Sequence, residues 1–100
     1  MMRYLTRKTG DTSGHYGSAD ATTGASVTLT GLWSKVEIRA DNADLYYSWT
    51  SVAACTATSP RVDVGGEPAI EWIPADATTL YLKAASGTAS YAVVEFAGVK

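Results

Sequence analysis

The stretch SKVEIRADNADLYYSWT, residues 34–50, decides how this chain must be read. Val36, Ile38 and Ala40 alternate with Lys35, Glu37 and Arg39, so an extended segment here has one dry face and one charged face. Asp41-Asn42-Ala43-Asp44 follows, and short Asx side chains that bond local backbone and tolerate left-handed geometry make a turn. LYYSWT then returns with Leu45, Tyr47 and Trp49 on one face. Together the two runs read as an antiparallel hairpin.

Outward from this pair the same period recurs. SVTLT (26–30) alternates and stops at Gly31, and residues 61–64 read as a short edge strand between Pro60 and Gly65-Gly66. AIEWI (69–73) alternates with Ile70 and Trp72 opposite Glu71, ahead of Pro74 and Asp76. TLYLKA (79–84) points Leu80 and Leu82 inward and Tyr81 and Lys83 outward. After the tight turn at Ser86-Gly87, ASYAVVEF (89–96) supplies a last strand. No segment sustains an i, i+3, i+4 pattern. The expectation is an all-β protein, a small antiparallel β-sandwich or barrel, over residues 25–100.

The N-terminal side is different. Residues 2–8 alternate weakly and read as a short strand. TGDTSGHYGSADATTG (9–24) has four glycines and almost nothing apolar except Tyr16 and small alanines. Fixing about 15 residues costs on the order of 15–30 kcal/mol of backbone entropy, and burying Tyr16 returns only about 2 kcal/mol. Residues 1–24 are therefore expected to form a flexible N-terminal arm, ordered only by a neighbour.

Composition removes several function classes. The 100 residues carry a net charge of −2, and their basic residues are scattered apart from Arg3, Arg7 and Lys8. Phosphate contacts supply most nucleic-acid affinity, so nucleic acid is not the expected partner. No run approaches the roughly 18 apolar residues of a membrane span, and MMRYLTRK lacks the apolar run of a signal peptide. The single cysteine, Cys55, cannot form an intrachain disulfide, which favours a reducing compartment of origin. The expected place of action is where the chain is made, or a particle assembled there.

Catalytic chemistry finds little footing. The only histidine, His15, lies in the arm, where a base is poorly preorganised. Cys55 follows Val52-Ala53-Ala54 with nothing cationic nearby to activate it, and reads as a small core hydrophobe. Asp41, Asn42 and Asp44 lack the glycine and distal glutamate of a calcium loop, so turn chemistry accounts for them. Glu37, Glu71 and Glu95, the candidates for a carboxylate pair, read as outward strand residues beside basic ones. No cofactor, metal site or enzymatic activity is expected.

The aromatics carry more information. Alternation turns Trp49 and Trp72 inward, while Tyr46 and Tyr81 look outward and Trp33 stands at a strand entrance. Outward Tyr and Trp anchor protein interfaces and also stack on sugars.

The pieces SKVEIRADNADLYYSW (34–49) and GGEPAIEWIPADATTLYLKAASGTASYAVVEF (65–96) resemble small phage virion proteins of the capsid decoration, cement or head-fibre kind. The shared pattern is a strand, a polar turn and an aromatic strand, then a strand ending in Pro, a small-residue turn and two closing strands. The resemblance implies a virion component, made in the host cytoplasm, that binds a major capsid protein or another virion protein, often as a trimer or dimer. The interface residues expected are Arg3, Tyr4, Arg7, His15 and Tyr16 in the arm, with Trp33, Tyr46 and Tyr81 on the domain. The competing expectation is a carbohydrate- or ligand-binding β module that uses exposed Tyr and Trp; a small hydrolase ranks third.

Overall fold

A computed structural model describes residues 12–97. Eight strands follow one another with no helix among the described residues: β1 Thr12–Asp20, β2 Ala25–Thr28, β3 Lys35–Asp41, β4 Leu45–Ser48, β5 Arg61–Val62, β6 Ala69–Trp72, β7 Thr79–Ala84 and β8 Thr88–Phe96. All pairings are antiparallel. Sheet I has the order β1-β8-β3-β6 and sheet II the order β2-β7-β4-β5. Two four-stranded sheets in this order, with the first strand beside the last, make an eight-stranded jelly roll.

The dry faces pack against each other between the sheets. Val36, Ile38 and Val93 from sheet I meet Leu45, Tyr47, Leu80, Leu82 and Ala84 from sheet II, all buried. Each large aliphatic chain buried this way contributes about 2 kcal/mol from apolar area alone. Leu80 and Leu82 point inward, as their alternation requires.

Three expectations are corrected. Residues 34–50 do not form a hairpin: β3 pairs with β6 and β8, whereas β4 pairs with β5 and β7. The turn between them, with Asn42 at φ 73°, carries the chain from one sheet to the other. Both strands keep their dry face, but those faces meet across the core instead of lying side by side.

The second correction concerns the arm. Residues 12–20 form β1, which pairs with β8 over nine positions from Thr12↔Phe96 to Asp20↔Thr88. The sandwich therefore includes residues assigned above to residues 1–24. The ordering comes from a ladder to a strand some seventy residues later, which local composition does not disclose. Gly17 belongs to this packing, since a Cβ there would stand 2.8 Å from the Tyr91 hydroxyl. The strand expected at 2–8 and the arm contacts Arg3, Tyr4 and Arg7 lie outside the described residues.

The third correction is the phase of β6 and of Glu95. Residues directly opposite in a ladder share a face. Val36, fully buried, stands opposite both Glu71 and Glu95, and Ile38 stands opposite Ala69. Glu71 and Glu95 consequently face inward. Ile70 and Trp72, opposite Glu37 and Lys35, face out and are 54% and 43% exposed.

Candidate functional site

Glu95 is 0% exposed. A buried carboxylate needs donors, and the register supplies them. His15 on β1 places Nε2 2.5 Å from Oε2. Thr30, just past β2, donates its backbone N–H at 3.1–3.2 Å and its hydroxyl at 3.0 Å. Beside them the Trp33 indole Nε1–H donates to Ser13 Oγ at 2.8 Å, and Ser13 stands opposite Glu95 in the ladder. This cluster ties β1, β8 and the β2–β3 loop together at one end of the sandwich. Its carboxylate is enclosed and already holds its donors, so it works as a structural knot with no room for a substrate.

A second polar feature lies at the lateral opening between β4 and β6. β5 pairs with Leu45 and Tyr46, and just before it the Pro60 carbonyl accepts the Tyr47 N–H at 3.2 Å. There the Tyr47 hydroxyl donates to Glu71 Oε2 at 2.7 Å, and burial, followed by this carboxylate, pushes the phenol pKa above its ordinary value. Tyr47, Ser48, Trp49, Thr50, Ala54, Ser59, Pro60 and Glu71 line a cleft of ≈380 Å³. An aromatic wall, several hydroxyls and one carboxylate can accept a small polar ligand.

The third feature is the outer face of sheet I. Across its strands the outward residues align as Phe96-Lys35-Trp72, then Gly14-Val94-Glu37-Ile70, then Tyr16-Ala92-Arg39. Tyr16 is 73% exposed and its ring lies over Gly14, where a Cβ would come within 2.5 Å of the hydroxyl. The Lys35 ammonium sits 4.5 Å from the centre of the Trp72 ring, a cation–π contact. Charges run along the middle strand, with Arg39 bonded to Glu37 at 3.1 Å. Exposed aromatic and aliphatic groups around a charged centre are the composition found at protein-docking surfaces.

Among the described residues, the interface residues expected from the sequence do not form one patch. Tyr16 is on the outer face of sheet I. Tyr46 and Tyr81, both half-buried, are on the outer face of sheet II, across from Lys83 and Ser48 respectively. Trp33 and His15 belong to the polar knot. Ile70 and Trp72, the residues of sheet I that sequence reasoning turned inward, are the ones it missed; their signal was the Lys35↔Trp72 pairing, which only the fold reveals.

Elsewhere, Asp41 accepts the Asn42 N–H at 3.0 Å, the turn role its residue type suggests, whereas Asp44 accepts the Val64 N–H at 2.9 Å and ties the turn to a segment twenty residues on. Cys55 is buried, burial pushes its thiol pKa up, and its S–H lies 3.6 Å from the Tyr81 carbonyl. The chain matches no protein-family model, no curated protein and no solved structure.

Proposed function

We propose that the chain is a structural component of an assembled particle, of the phage virion kind, which docks on a neighbouring virion protein through the outer face of sheet I. One observation carries this reading: Tyr16, Ile70 and Trp72 stand 73%, 54% and 43% exposed on one four-stranded face, with Phe96 and Val94 between them. Exposed large apolar groups gathered on one face mark interaction sites. Jelly rolls also build viral capsids, a fold-level analogy in favour of the reading. The test is whether tagged chain co-sediments with particles from cells that produce it. Wild type travels with the particles and Ile70→Glu stays behind; a wild type that remains in the soluble fraction defeats the proposal.

The cleft beside Trp49 favours a second reading, a carbohydrate-binding module in which Trp49 stacks on a sugar face and Glu71 accepts its hydroxyls. Titration of the protein with maltose, cellobiose and lactose, followed by amide shifts in NMR, tests it. Shifts confined to residues 47–50 and 71 support it; unchanged spectra with all three sugars count against it.

A further inference from the structure

Among the described residues β1 is an edge strand, and of the four sheet edges its own is the longest. Folded proteins blunt free sheet edges by keeping them short, by flanking them with proline or by placing lysine on them. The other three edges of this sandwich follow that rule. β2 and β6 have four residues each and β5 has two; Pro68 precedes β6 and Pro60 precedes β5. β1 has nine residues, pairs with β8 without a bulge, and contains no proline, lysine or arginine. Among the described residues no strand pairs with its other side.

The sequence of β1 also suits pairing with itself. An antiparallel two-fold centred on Tyr16 sets His15 opposite Gly17, Gly14 opposite Ser18, Ser13 opposite Ala19 and Thr12 opposite Asp20. The three pairs next to the axis each contain a Gly, Ser or Ala, and no like charges meet in any pair. At the axis Tyr16 meets its own copy on the outer face. Cross-strand aromatic pairs are among the favourable ones in sheets, and Tyr16 is 73% exposed and available to make one.

We propose that two copies of this chain associate edge to edge through β1, with Tyr16 at the two-fold axis. The interface is isologous. Sheet I becomes a continuous eight-stranded sheet of order 6-3-8-1-1-8-3-6, and the two outer docking faces merge into one broader surface. This deepens the assembly reading and names the partner at this edge as a second copy.

Light scattering on the full chain tests it, using wild type, Tyr16→Lys, Tyr16→Asp and an equimolar mixture of the two variants. Wild type is expected at twice the 10.5 kDa monomer mass. Each variant alone sets like charges opposite each other at the axis and runs as a monomer, and the mixture restores the dimer. Hydrogen exchange on wild type provides a readout that needs no variant: β1 amides that point away from β8 are protected in the dimer.

A monomeric wild type, variants that remain dimeric, or a mixture that remains monomeric overturns the edge-to-edge dimer. So does rapid exchange of those amides. A monomeric wild type that still co-sediments with particles defeats this inference alone and leaves the docking reading standing.

Discussion

Among single residues, Glu95 and Asp20 show how this sandwich uses carboxylates. Glu95 is enclosed and its donors come from β1 and from the β2–β3 loop, so removing one leaves a buried acceptor short of a partner. His15→Ala is expected to lower the unfolding free energy by about 2 kcal/mol, measured by urea denaturation. A change under about 0.5 kcal/mol would show that the knot does not hold β1. At Asp20 the N–H groups of Gly24, Thr23 and Thr22, with the Thr23 hydroxyl, draw the carboxyl pKa down to about 2. A carboxylate with a depressed folded pKa stabilises above its ordinary value, and that stability is lost as pH falls through the folded one. Wild type should therefore lose thermal stability between about pH 4 and pH 2. Asp20→Asn should be less stable at neutral pH and flatter across that window. Parallel melting curves for the two proteins would contradict the assignment.

Individual strands show what the sequence could and could not disclose. β3 and β7 were legible because a dry residue alternates with a wet one along their whole length, and their burial follows suit. β1 was not, because its inward positions are Ser13, His15, Gly17 and Ala19. Its small residues make room for the Tyr91 ring, and its histidine meets Glu95, so the pattern that would mark it as a strand belongs to its partner. The phase of β6 was hidden for the same reason, since its own alternation suits either face and Val36 and Ile38 choose between them. The candidate docking face inherited that error, and the polar knot inherited the misreading of Glu95. It follows that β1 is part of the domain. A chain lacking residues 1–11 is expected to keep its cooperative unfolding. One lacking residues 1–20 loses the nine-residue ladder and melts at least about 10 °C lower, given some 4–8 °C per kcal/mol in a domain of this size. Calorimetry on the two truncations decides it; equal melting temperatures would put β1 back among the dispensable segments.

On the scale of the molecule, the same ladder brings the two ends of the described chain together, with Thr12 opposite Phe96. Nearly every strand is followed by one in the opposite sheet, β4–β5 excepted, so the topology rests on pairings distant in sequence. Folds dominated by such pairings nucleate slowly, in milliseconds to seconds, yet their final stability does not require the chain to start where it does. Neighbouring ends and an exposed turn elsewhere are the conditions under which circular permutation succeeds. The turn at Gly65-Gly66 qualifies: both residues are exposed, Gly65 has φ 74°, and nothing lies within 4 Å of a Cβ built there. A permutant that joins Phe96 to Thr12 through a short linker and opens between Gly65 and Gly66 is expected to reach the same all-β circular dichroism spectrum. Its refolding rate should change, because the β1–β8 ladder becomes a local hairpin while the β5-to-β6 connection is cut. Faster refolding with a melting temperature within a few degrees of wild type would identify closure of β1 on β8 as the slow step. A permutant that folds at the wild-type rate would move that step to the crossings between sheets, where residues 41–44 and 85–87 turn the chain from one layer to the other.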